Sequence, residues 1–115
     1  MNKTILTLFS NFTVDGVSIP VKFMYYKGHG EPYVTFMEQD MNNSYAGDDG
    51  LMGYIDYYDF DIYSKGNIQK IIKEVKRILT GAGFIWQPSR SSMDLYEADT
   101  GYYHKTLNFA IPREE

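Results

Sequence analysis

The stretch NIQKIIKEVKRILTGAG, residues 67–83, decides how the rest of the chain is read. Ile68, Ile71, Ile72, Val75, Ile78 and Leu79 recur at the spacing that puts apolar side chains on one side of an α-helix. Lys70, Lys73, Lys76 and Arg77 fall mostly off that stripe. Asn67 stands where a side-chain oxygen can cap the first free N–H groups, and Gly81 where a helix can end. The basic residues toward the C-terminal end complement the helix dipole. Such a helix has one apolar stripe to bury and needs a surface to bury it against.

Strand patterns on both sides supply that surface. In YIDYYDFDIY, residues 54–63, Tyr58, Phe60 and Ile62 share one face and Asp59 and Asp61 the other, which predicts a strand with a wet, acidic outer side. Upstream, IPVKFMYY and YVTFME read as two strands of a hairpin around KGHGEP, with Pro20 near the start and Val34 and Phe36 on one face. Residues 3–9 fit a short helix with Ile5, Leu8 and Phe9 on one side, followed by a turn at Asp15-Gly16. Between the strands, DMNNSYAGDDGLMG (residues 40–53) is polar and glycine-rich and reads as the longest loop.

After the helix, GFIWQP predicts a short strand. DLYEADTGYYHKTLNF, residues 94–109, then predicts a terminal hairpin turning at Asp99, Thr100 and Gly101. Tyr103 and Leu107 are expected to face the helix, Tyr102 and His104 to face outward, and residues 112–115 to be loose. The fold class is therefore α+β: one domain, an antiparallel sheet with one main amphipathic helix packed on it, in the order α-β-β-β-α-β-β.

Composition narrows the functions open to this fold. The 115 residues are 43% hydrophobic, enough for one modest core. There is no cysteine, so disulfides, thiolate metal sites and cysteine nucleophiles are excluded. A net charge of −4 argues against nucleic acid as the main partner. The apolar run of MNKTILTLFSNF is short and broken by Thr7 and Ser10, which argues against a signal peptide, and no window approaches the ~18 apolar residues of a membrane span. The eleven tyrosines suit half-exposed sheet faces and protein interfaces.

The catalytic readings each have a plainer rival. Asp99-Thr100-Gly101 has the residues of an aspartic protease triplet, but that chemistry needs two carboxylates sharing a proton, and here the triplet follows Tyr96-Glu97-Ala98 rather than an apolar strand. His104 could act as a base oriented by Asp99, or be a half-exposed strand residue. Asp56, Asp59 and Asp61, with Asp48 and Asp49 upstream, lack the spacing of a calcium loop. KGHG lacks the pattern of a phosphate-binding loop, and its His29 lies between two glycines. What remains is charge segregation. From Lys27 to Lys65 the chain carries acids and neither lysine nor arginine, whereas the helix that follows is basic. Two faces of opposite sign suit head-to-tail contacts that can close into a ring. The alternative is that these acids and bases meet within one subunit.

Three stretches in this order resemble the small tail-completion proteins of tailed bacteriophages and prophages, also described as tail-terminator or head–tail joining proteins. They are PVKFMYYKGHGEPYVTFME, YIDYYDFDIYSKGNIQKIIKEVKRILTGAGF and DLYEADTGYYHKTLNFAI, and together they span most of the chain from Pro20 to Ile111. The resemblance implies a structural virion component, assembled in the bacterial host cytoplasm, that caps the tail tube or joins it to the head. It implies a hexameric ring, tail-tube and head-connector proteins as partners, DNA only as passing cargo, and no catalysis, cofactor, metal or membrane. On that expectation Asp48 and Asp49 line the DNA path. Asp56 and Asp59 pair with Lys73 and Arg77 of a neighbour, and Tyr102 and His104 meet a neighbour or a tail protein. A monomeric adaptor domain and a small hydrolase using Asp99 are the competing expectations.

Overall fold

The computed structural model describes residues 1–27, 30–47 and 50–114, with 40–47, 50–52, 54 and 114 described as backbone alone. The elements are α1 (Asn2–Leu8), β1 (Thr13–Val14), β2 (Val17–Ser18), β3 (Val21–Phe23), β4 (Tyr33–Gly47), β5 (Gly50–Ser64), α2 (Ile68–Gly81), β6 (Ile85–Trp86), a 3-10 turn (Pro88–Arg90), β7 (Leu95–Glu97) and β8 (Tyr102–Glu114). The content is mixed α and β with a mostly antiparallel sheet, so the fold class stands in outline.

The main sheet runs β3-β4-β5-β8-β6, with β7 also paired to β8, and β1 and β2 form a separate ribbon. Strict alternation along β5 sets the layers. Tyr58, Phe60 and Ile62 are buried on the side of the helices, as are Val34 and Phe36 of β4 and Leu107 and Phe109 of β8. Phe60 is the hub: Phe9, Phe36, Phe84 and Phe109 all place ring centroids within 6.4 Å of its own. Ile68, Ile71, Ile72, Val75 and Leu79 of α2 complete this core, and Ile5 and Phe9 bring the first helical segment into it. Asn67 caps α2 by accepting a hydrogen bond from the Gln69 N–H at 3.1 Å. The helix runs through Gly81, and Gly83, at φ +95°, is the residue that takes the left-handed turn out of it. At the sheet's far side Lys76 of α2 lays its ammonium 3.5 Å over the Trp86 ring.

Four expectations need correction. First, β3 pairs with β4 in parallel, Val21 level with Val34 and Phe23 with Phe36, so KGHGEP does not close a hairpin. Met24 adopts φ +64° and ends β3, and the Tyr102 hydroxyl ties the returning chain down at Gly30 and Glu31. Second, residues 40–47 and 50–53 are strand, not loop: β4 and β5 form one hairpin of 15 residues a side, with register shifts after Glu38, Asp40 and Tyr45. At ~3.3 Å per residue each strand is ~50 Å long, and the molecule measures 51 × 27 × 22 Å. Third, residues 112–114 are not loose, because Pro112 to Glu114 pair with Ile55 to Gly53. Fourth, Asp15 and Gly16, both at positive φ, turn a ribbon of two-residue strands that the sequence reading left out. The element order consequently has more strands before α2 than expected.

Replacing Phe60 by alanine should cost ~3–5 kcal/mol of stability, because four rings lose a common partner. Lys73→Ala on the exposed side of α2 should stay within ~0.5 kcal/mol. Urea unfolding midpoints of the two variants check both.

Candidate functional site

The same alternation that buries Phe60 sends every second side chain of the sheet to the opposite, outer face. There, Tyr33, Tyr63 and His104 are direct cross-strand neighbours on β4, β5 and β8. Their rings form one stack, Tyr33 on Tyr63 at 4.6 Å and Tyr63 on His104 at 4.2 Å, and Tyr26 leans on Tyr33 at 5.0 Å. The Tyr102 ring meets Tyr33 and Tyr63 edge-on. Burial, with Asp61 adding to it, pushes the Tyr63 hydroxyl up to about 12. These rings are packed on one another rather than spread for contact.

His104 is held from two sides. Its Nε2 lies 3.1 Å from Asp61 Oδ1 and its Nδ1 3.4 Å from Glu97 Oε2. Asp61 Oδ1 also accepts the Thr106 hydroxyl at 2.5 Å, and Glu97 Oε1 accepts the Thr100 hydroxyl at 3.1 Å. Both ring nitrogens therefore face carboxylates, which leaves neither aimed at a hydroxyl nucleophile. One step along the face, the Asn108 amide donates to Asp59 at 2.8 Å and to Gln39 at 3.0 Å. Burial raises the Asp59 carboxyl above its ordinary range, a shift that the Asn108 hydrogen bond opposes. Arg90, on the 3-10 turn, lies 3.7 Å over the Tyr57 ring.

Asp56 belongs to the other face. It is 0% exposed, and its Oδ2 takes a 3.0 Å bond from Arg113 of β8. Its Oδ1 has no fixed donor, and Glu38 stands beside it. Burial raises the Glu38 carboxyl, and the adjoining Asp56 raises it further.

The expected site residues thus fall in different places. Asp56 is sealed by Arg113 and cannot pair with another subunit. Tyr102 is 6% exposed, and its hydroxyl donates to the Glu31 carbonyl at 3.1 Å and accepts the Gly30 N–H at 2.9 Å, so it is an internal anchor rather than a contact residue. Tyr103 lies on the helix side as expected, but it is exposed beside Tyr96. Asp59 and His104 do share the outer face, inside the networks just described. Lys73 and Arg77 point to solvent from α2, with Arg77 paired to Glu74 at 3.0 Å. Asp48, Asp49 and His29 lie outside the described residues. Asp99 sits on the exposed turn before β8, where Gly101 at φ +79° reverses the chain. Glu97, Tyr33, Tyr63, Asn108 and Arg90 went unread as site residues; the period-two rule that marked Asp59 and Asp61 also puts Tyr57 and Tyr63 on their face. No family model and no curated protein matches this sequence.

Tyr102→Phe should lower stability by ~1 kcal/mol and speed amide exchange at Gly30, since both bonds to the hydroxyl are lost. Mass-resolved hydrogen exchange of the 30–33 segment checks this. Asp59→Asn keeps an acceptor for Asn108 but removes a charge the fold disfavours. A carboxyl raised by folding contributes stability below its ordinary range, and that contribution is lost as pH rises through the raised value. The Asn variant should therefore be more stable than the parent at neutral pH. The difference should vanish as pH falls into the carboxylate range, as followed by thermal unfolding across pH.

Proposed function

We propose that this chain is a structural subunit of a phage or prophage tail. On this reading it terminates the tail tube or joins it to the head, as a ring, hexameric in the expectation drawn from the resemblance, around the path of the DNA. The observation that carries the reading is the long β4–β5 hairpin, an arm whose far portion runs past the pairing with β8. Beyond Gly53 the register gives the arm no third strand among the described residues, and an isolated two-stranded ribbon is marginal in water. An element that long and that thin gains stability from a surface supplied by another subunit.

Charge supports the same reading. The arm's sequence from Gln39 to Tyr58 carries only acidic charges, while α2 presents Lys73 and Arg77 outward. An acidic lining, including Asp48 and Asp49, would let DNA slide, whereas a basic one would hold it. The polar face around His104 supports structure over catalysis, because its hydrogen-bonding groups are spent on one another. The competing adaptor reading draws support from the side chains that stay exposed on one flank, Met93, Leu95 and Tyr96.

Light scattering on the purified protein at low and moderate salt tests the proposal. A salt-sensitive oligomer near six subunits is expected, with Lys73→Glu weakening it. A monomer that stays a monomer when tail-tube protein is added would sink the ring and leave the adaptor.

A further inference from the structure

The main sheet has two free flanks. Among the described residues β3 pairs only with β4, and β7 only with β8, so each strand has an outer backbone edge without a partner in the sheet. Each edge is also apolar. On the β3 side Phe23, Met24 and Tyr25 are exposed, Tyr25 at 73%; on the β7 side Met93, Leu95 and Tyr96 are exposed, Tyr96 at 60%. Unprotected edges of this kind are templates for pairing.

Four features make the two edges fit each other rather than themselves. The first is charge. From residue 16 to residue 30 the only charged side chains are Lys22 and Lys27, both exposed, whereas from 91 to 101 they are Asp94, Glu97 and Asp99. The second is direction. β3 is parallel to β4, β4 and β8 are both antiparallel to β5, and β7 is antiparallel to β8. Extending the sheet from β7 onto the β3 of a second copy in the same orientation therefore makes an antiparallel pair.

The third is side. The Phe23 ring lies on the helix side, 5.6 Å from Phe36. A groove of about 370 Å³ opens on the helix side of the β7 edge, lined by Ile68, Leu95, Tyr96 and Tyr103. The fourth is height. Val21 is level with Val34, Val34 with Ile62 and Ile62 with Lys105, and Leu95 opposite His104 puts Asp94 next to Lys105. A level joint puts Phe23 of one copy opposite Ser92 of the next, and a joint shifted by four residues along the strand puts Phe23 opposite Tyr96 and Lys22 opposite Glu97. Met24 at φ +64° fits this role: a left-handed methionine is strained, and here the strain turns Met24 and Tyr25 outward at the end of the strand.

We infer that the β3 edge of one copy docks on the β7 edge of another, continuing the sheet from subunit to subunit with Phe23 seated near Tyr96. The contact joins unlike surfaces, so it propagates into a ring or a filament and cannot stop at a dimer. It rests on the ring-forming reading for its partner, a second copy of this chain, and takes Lys22 and Lys27 as the basic side and Asp94, Glu97 and Asp99 as the acidic side in place of Asp56 and Asp59.

Charge reversal with rescue tests it. Lys22→Glu/Lys27→Glu makes both edges of one copy acidic, and Asp94→Lys/Asp99→Lys leaves one base-rich edge facing another. Each double variant alone should run at the 13.3 kDa monomer mass in light scattering, the Lys22/Lys27 variant with an unchanged urea midpoint and the Asp94/Asp99 variant with a lowered one, because Asp94 also binds Lys105 and Gln69 within the subunit. An equimolar mixture should regain the parent oligomer, because alternating copies again oppose acid and base. Variants that remain oligomeric alone, or a mixture that stays monomeric, overturn the edge contact while an oligomeric parent keeps the ring reading alive. A parent that is itself monomeric under every condition overturns both.

Discussion

Everything in this fold hangs on the burial of Phe60. It is the centre of the central strand, and the rings that touch it come from the segment after α1, from β4, from the turn before β6 and from β8. Those contacts fix which face of β5 is inside, and a strand's period of two then fixes the other face as well. The stack of Tyr33, Tyr63 and His104 lies where it does because Phe60 points the opposite way.

This coupling explains what the sequence revealed. The helix of residues 68–81 and the strand around Phe60 bury a stripe or a face, so their periodicity is written in apolar residues. The terminal hairpin was legible from Asp99 to Gly101 because a left-handed turn position asks for glycine. The arm left no such trace. Residues 40–53 have few apolar positions to alternate, and polar, glycine-rich sequence normally means a loop. The parallel β3–β4 pair was hidden for another reason: two short strands with glycines between them look alike whether the chain reverses or crosses over.

The candidate site was legible as a set of residue types and not as contacts. Asp56 and Asp59 look equivalent in the sequence, yet they sit three positions apart on a strand and so on opposite faces, one sealed by Arg113 and the other bonded to Asn108. Tyr102 was assigned outward by alternation alone. It points out of the helix layer, but the returning 30–31 segment covers it. Burial there comes from a loop, and alternation carries no information about loops.

The ammonium of Lys76 over Trp86 gives the molecule a built-in optical reporter. Trp86 is the sole tryptophan, and it touches the helix from the short β6 strand, level with Tyr58 at the base of the arm. Its emission follows the docking of α2 against that flank, whereas backbone circular dichroism averages helices, sheet and arm together. Coincident transitions by the two signals mean that arm and body melt as one cooperative unit. Separate transitions mean that the helix layer and the extended hairpin are distinct foldons, with the arm free to exchange its strands while the body remains intact.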